Sequence, residues 1–332
     1  MVRIILWVLG LGAMIGAIAE VFLRVKYGLG SPLLYVADTR TGYRLAPNQS
    51  LQRRGNRIEI NQYSMRGATI LPQRPAHSLR VLMVGDSILN GGWWTDQSEL
   101  LSIKVQRSLE TLHLADVRAV EVLNASANSW GPRHALGYVL RFGTFEAQVL
   151  VLMLNTDDLF AIAPNSYDLG RNPQYPTRRP PLALWESIAR RRPYLPSPEL
   201  QALHDQPGDR VGVNLEAIRQ LNQIVQTAHS QLIVAITPLR RELADDGPHD
   251  YELVARQRLT DFAAAQSIPY LDFLPQFQQT HYERLYIDDI HLSDEGNVWV
   301  GQALASLIDQ VWPQPADEPS PRPMDEPMTD LW

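Results

Sequence analysis

The stretch VLMVGDSILNGG, residues 81–92, decides how this chain is read. Four apolar residues run without alternation, the pattern of a strand covered on both faces. The run stops at Gly85-Asp86-Ser87. Gly, Asp and Ser are ordinary turn residues, and Gly85 is expected to let the chain turn there. A hydroxyl at the exit of a strand is also where a nucleophile can be mounted, because open parallel sheets gather ligands at the carboxyl ends of their strands. The choice rests on whether the rest of the chain supplies a base and an oxyanion hole.

Working outward, the pattern after residue 79 is regular. Buried-strand runs at 79–85, 117–126, 148–154, 231–238 and 269–273 alternate with helical spacing at 96–114, 132–143, 215–229, 250–266 and 293–312. In the first of these helices Leu101, Val105, Leu109 and Leu112 recur at helical intervals. Five strands alternating with helices predict an α/β fold, a parallel sheet with helices on both faces. Residues 160–212 interrupt the alternation with Pro and Arg, which predicts an insertion or lid carrying one short helix near 182–190. Residues 24–78 read as a neck with an edge strand near 57–61. The tail 313–332 is acidic and proline-rich, a composition expected to be disordered.

The 332 residues carry a net charge of −6 and no long basic run, which argues against nucleic acid as a partner. The chain has no cysteine, so a disulfide framework, a Cys-bound metal and a Cys nucleophile are all excluded. The segment IILWVLGLGAMIGAIAEVFL, residues 4–23, is long and apolar enough to span a bilayer as a helix. It is expected to be a transmembrane anchor, because the apolar run continues past the A-x-A-like Ala17-Ile18-Ala19 of an alternative signal peptide. The domain at 79–312 is expected on the periplasmic or extracytoplasmic side, or secreted if the segment is cleaved. Oligomeric state is not legible.

At the strand exits stand Ser87, then Asn124, Ser126, Asn128 and Ser129, then Asn155, Thr156, Asp157 and Asp158, and finally Asp288 and His291. A serine hydroxyl is a weak nucleophile that needs an adjacent base. A histidine can take its proton while a carboxylate holds the imidazole in the right tautomer. Asp288 and His291 are three apart on one loop, so one turn can bring both to a single site. The G-x-S-x-G elbow of the α/β-hydrolases is absent. A Mg²⁺ or Mn²⁺ site on Asp86, Asp157, Asp158, Asp288 and His291 is the competing reading. Trp93 and Trp94 are assignable either to the core or to a substrate cleft, and the other seven histidines, His134 and His281 among them, are expected to be solvated.

With these residues the chain resembles the SGNH (GDSL) hydrolase superfamily. Gly85-Asp86-Ser87 with Gly91 matches its first block, and Asp288-Asp289-Ile290-His291 followed by Leu-Ser-x-x-Gly matches its last, over roughly residues 79–311. The neck stretches EVFLRVKYGLGSPLLY, GYRLAPN and INQYSMRG resemble those of membrane-anchored bacterial members. The resemblance implies a three-layer α/β/α sandwich on a five-stranded parallel sheet, with a Ser87 nucleophile, a His291–Asp288 pair and no cofactor or metal. It implies hydrolysis or transfer of acyl esters, with a small-molecule, lipid or glycan ester as substrate. The family's second block places Ser129 where a glycine N–H normally serves the oxyanion hole. Its third block, G-x-N-D, places Asp157 where an Asn side chain normally donates. An ionised carboxylate cannot donate and would repel an oxyanion. Asn155 or Asn128 is then expected to substitute, beside the Ser87 and Ser129 N–H groups, or Asp157 is protonated. Two other readings follow: an acyltransferase using the same residues, and a degraded domain that only binds glycan or protein.

Overall fold

The structure, a computed structural model, describes residues 1–112, 114 and 116–312; the expected disordered tail lies outside the described residues. Helix α1 (Val2–Tyr27) buries none of its residues fully and exposes most of its apolar ones, while its C-terminal end touches the body through Glu20 and Arg24. It ends at Gly28, whose φ of +66° and close approach to the Gln52 carbonyl leave no place for a Cβ. Two short hairpins follow, β1 (Tyr35–Asp38) with β2 (Gly42–Leu45), and β3 (Gln49–Arg53) with β4 (Asn56–Ile60). Of these four strands the sequence pattern predicts only β4, as an edge strand. Tyr35, Leu45, Ile58, Ile60 and Met65 are buried in the larger core cluster, so both hairpins pack against the body.

The central sheet contains β5 (Ser78–Gly85), β6 (Ala119–Ser126), β7 (Val149–Asn155), β8 (Gln231–Thr237) and β9 (Tyr270–Asp272). All pairs are parallel and the spatial order is β6-β5-β7-β8-β9. Successive residues of a strand face opposite sides of a sheet. Accordingly Leu82 and Val84 of β5 join one core cluster, whereas Leu79, Val81 and Met83 join the other.

The helices are α2 (Ser87–Asn90), α3 (Leu101–Thr111), α4 (Pro132–Phe142), α5 (Ala183–Ala189), α6 (Pro198–Asp205), α7 (Arg210–Thr227), α8 (Asp250–Ala265), α9 (Leu274–Phe277) and α10 (Asp294–Val311). Helices α4, α7 and α8 bury their apolar stripes on one face of the sheet, and α3 and α10 on the other. This is the expected α/β/α sandwich. The insertion holds a second helix, α6, beyond the one that its sequence predicts; Ser197 caps it and Pro198 opens it.

The strand order reverses between β5 and β7, the position at which a doubly wound sheet opens a crevice. The chain leaves β5 into α2, and β7 into a single 3-10 turn at Thr156–Phe160, on the two sides of that crevice. A buried ionic cluster holds the second turn from below. Arg256 donates to Thr156 Oγ1 at 2.6 Å and to Asp272 Oδ1 at 2.6 Å, and lies 3.1 Å from Glu242 Oε2.

Candidate active site

Gly85 ends β5 without a left-handed turn. A Cβ there would stand 2.7 Å from the Met153 carbonyl of β7, so the glycine serves close packing of the two strands and not the turn expected of it. The turn is made by Asp86, which caps α2 by accepting from the Ile88 N–H at 2.9 Å. Ser87 is the first residue of that short helix and is half-buried. Its Oγ lies 2.9 Å from His291 Nε2, and His291 Nδ1 lies 2.7 Å from Asp288 Oδ2. Three residues from the two ends of the domain are thereby placed in one hydrogen-bonded row, 204 positions apart at its widest.

The loop between Arg284 and α10 folds so that this row can form. Tyr286 bridges to Leu292, the Ile287 N–H donates to the His291 carbonyl at 2.9 Å, and the Asp289 carbonyl accepts from the Arg240 N–H. Asp288 Oδ1 accepts from the N–H groups of Ile290 and His291 at 2.9 and 2.7 Å. Burial raises the Asp288 pKa, but these N–H groups and the imidazole outweigh it and hold the carboxyl below its ordinary value. An ionised Asp288 accepts from Nδ1–H and so leaves the Nε2 lone pair toward Ser87, the tautomer that a general base requires. Trp94 lies against the imidazole, ring centroids 4.5 Å apart, while Trp93 packs on the larger core cluster.

Ser87 opens onto a cavity of about 350 Å³ that is also lined by Ser129, Asn155, Asp157 and Asp158. Ser129 adopts φ +59°, a left-handed conformation that costs a non-glycine residue a modest amount. Its Oγ shares a 2.7 Å hydrogen bond with the Tyr175 hydroxyl from the insertion. Phe160, Ala161, Leu200 and His204 complete a wall supplied by the same insertion. The segment 160–212 therefore closes one side of the site.

The candidate side-chain donors fare differently from one another. Asn155 lines the cavity, but its Nδ2 donates to Asp86 Oδ2 at 2.8 Å and its Oδ1 accepts from the Asp157 N–H at 2.7 Å. Asn128 is corrected. It does not line the cavity; its carbonyl accepts from the Tyr43 hydroxyl and its Oδ1 is buried without a partner. Asp157 lines the cavity, and burial, aided by Glu252 and opposed by Arg241, pushes its carboxyl pKa up. Burial does the same to Asp86 and, reinforced by Asp86 and Asp157, to Asp158, which accepts from the Asn155 N–H at 2.9 Å.

Among the described residues no group of three or more His, Asp or Glu side chains is placed to hold a metal ion. His134 is not solvated. It is buried beside the cavity, its Nδ1 accepts from the Gly131 N–H at 3.1 Å, and burial lowers its pKa to about 3. One supporting residue carries no sequence signal of its role. Arg66, fully buried, donates to the carbonyls of Asn90, Gly92 and Thr95 and so clamps the loop that presents Trp94.

A sequence model of the GDSL-like Lipase/Acylhydrolase family matches residues 83–299. Among solved structures, the acetyl xylan esterase AlAXEase is similar with a TM-score of 0.46 at 13% identity, over 69% of this chain and 100% of its own. The lipase/acylhydrolase from Enterococcus faecalis gives 0.44 at 16%, over 70% and 96%. The acetylxylan esterase Axe2 from Geobacillus stearothermophilus gives 0.44 at 14%, also over 70% and 96%. Comparison with curated proteins yields no match.

Proposed function

The chain belongs to the GDSL-like lipase/acylhydrolase family, enzymes that cleave esters, and on that premise we propose that Ser87 is its nucleophile, His291 its general base and Asp288 the carboxylate that orients the imidazole. The observation that carries this reading is the row Ser87 Oγ–His291 Nε2–Asp288, with separations of 2.9 and 2.7 Å. His291 removes the Ser87 proton as Oγ attacks the acyl carbonyl, and returns it to the departing alcohol oxygen. Water, deprotonated by the same imidazole, then releases the acid from the acyl-serine. The N–H groups of Ser87 and Ser129 face the developing oxyanion. A first-turn N–H such as that of Ser87 has no partner within its own helix, which leaves it available. Asp157 stands beside them and serves as a donor only while protonated.

The substrate that fits is a short-chain acyl ester of a polar alcohol. A cavity of about 350 Å³, walled on one side by the insertion, lies at the low end of the range for small-molecule sites. Asp157, Asp168, Asn165 and Tyr43 give it polar walls. Transfer of the acyl group to a second alcohol is the alternative outcome, favoured by the insertion wall that limits water at Ser87. Helix α1 is read as a membrane anchor, since 26 residues of high mean hydropathy stand exposed. The test is a series of p-nitrophenyl esters assayed on the detergent-solubilised full chain. Acetate and butyrate are expected to show the highest kcat/KM, with Ser87→Ala inactive on all. A maximum at palmitate would overturn the substrate class, and activity in Ser87→Ala would overturn the nucleophile. Adding sugar alcohols separates transfer from hydrolysis by the acylated product.

A further inference from the structure

Helix α5 is amphipathic the wrong way round. A surface helix normally turns its apolar stripe to the core and its charges to water. Here Glu186 is buried, paired with Arg53 at 2.6 Å and accepting from the Gly30 N–H at 2.6 Å, while Leu182, Trp185 and Ile188, spaced three apart, are about half exposed. Leu195, further along, is 84% exposed. The position of α5 says what covers that stripe. Glu20, at the end of the apolar run of α1, accepts from the Ala183 and Leu184 N–H groups at 2.8 and 3.0 Å, and Arg24 donates to the Pro181 carbonyl. Residues 2–19 of α1 rise about 27 Å at 1.5 Å per residue, close to the thickness of a hydrocarbon core. The end of α1 to which α5 is fastened is therefore the level at which a spanning helix leaves the bilayer.

Beside this stripe lies a second cavity, of about 320 Å³, lined by Arg171, Arg178, Arg179 and Trp185. Arg178 and Arg179 are exposed and, among the described residues, pair with no acid; the nearest acid to Arg171 is Glu199 at 3.9 Å. Arg191 is exposed nearby, and Arg192 lies over the Trp185 ring at 5.8 Å. Aromatic and aliphatic side chains beside unpaired arginines are what an interfacial helix presents to anionic lipid. A guanidinium fork also matches a phosphate.

We propose that residues 171–195 form a second membrane contact, in which Leu182, Trp185, Ile188 and Leu195 enter the interfacial layer and the Arg171–Arg178–Arg179 cavity takes the phosphate of an anionic phospholipid. It rests on the reading of α1 as an anchor and adds to it a fixed orientation of the catalytic domain on the surface. The chain has no cysteine, so Leu195→Cys carries a single environment-sensitive fluorophore, and Leu11→Cys a reference one in α1. Both are placed in the full chain in nanodiscs of phosphatidylcholine with or without phosphatidylglycerol.

The expected result is lipid contact at 195, read by headgroup-depth nitroxide quenching and protection from iodide, only when phosphatidylglycerol is present. Arg178→Gln and Arg179→Gln should each lower the ratio of lipid-contacting to water-exposed label about fivefold, with ester hydrolysis in detergent unchanged. A label at 195 that stays in water while the one at 11 is in lipid overturns the second contact and leaves the anchor standing. A label at 11 that is in water overturns the anchor as well. Lipid contact at 195 that ignores phosphatidylglycerol overturns the phosphate site.

Discussion

Replacing Asp157 by Asn should increase esterase activity, and the increase should grow with pH. Ser87, Ser129 and Asp157 line one cavity, and in the proposed mechanism the first two supply backbone donors to the oxyanion with Asp157 as the third group. Burial raises the Asp157 pKa, so the carboxyl is protonated over a wider acidic range than usual and there donates a hydrogen bond. Above that pKa it stops donating and sets a negative charge against the oxyanion. Loss of one oxyanion donor costs about 10²–10³ in kcat, roughly 2.7–4 kcal/mol. Asp157 is exposed on its water side, which screens its charge, so the gain from Asn at pH 8 is expected toward about 10²-fold.

As pH falls and Asp157 takes up its proton, it donates as Asn does, so the ratio should decline toward one. The assay is kcat for p-nitrophenyl acetate from pH 5 to 9 on the wild-type and Asp157→Asn proteins. Wild type should show a falling alkaline limb that the variant lacks. Equal activity at every pH, or a loss in the variant, would refute the placement of the Asp157 side chain at the oxyanion.

Other consequences follow from the same geometry. Asp158 has a folded pKa raised well above its unfolded value, so the folded state holds its proton longer and stability falls as pH rises through the interval between the two. Asp158→Asn keeps an acceptor for the Asn155 N–H and should raise Tm at pH 8 but little at pH 4, by calorimetry; a gain independent of pH would exclude that origin. Arg256→Ala leaves Glu242 buried and unpaired, and should cost about 3–5 kcal/mol in urea unfolding. Arg66→Ala releases three carbonyls and the Trp94 loop, and should lower kcat/KM more than it lowers Tm, a split that a purely structural residue would not show. Asp288→Asn preserves the shape of the row but favours the wrong imidazole tautomer, and should lower kcat by up to about 10⁴.

The sheet is legible in the sequence because its strands are continuous apolar runs and its helices keep a 3.6-residue period, signals that tertiary packing reinforces. The Ser87, Asp288 and His291 positions are legible because strand exits and a three-residue spacing constrain where polar groups can meet. What the sequence hides depends on packing that no local pattern records. His134 reads as a polar surface residue, yet it is buried, because its Nδ1 is satisfied by a backbone N–H one turn away. Gly85 reads as a turn residue, yet the constraint on it comes from a strand that lies far along the chain. Asn128 is one position from Ser129 and equally polar, but the turn directs it away from the cavity. The two N-terminal hairpins are four or five residues per strand, too short for alternation to stand out, and their burial is set by the body they pack on.

The central claim is that Ser87, activated by His291, is the nucleophile, and active-site labelling measures it directly. The full chain in detergent is treated with a fluorophosphonate and examined by intact mass and peptide mapping. One adduct, on the peptide containing Ser87, is expected in the wild-type protein, with markedly slower labelling in His291→Ala and none in Ser87→Ala. Equal labelling of wild type and Ser87→Ala, or an adduct mapped to another residue, would contradict it.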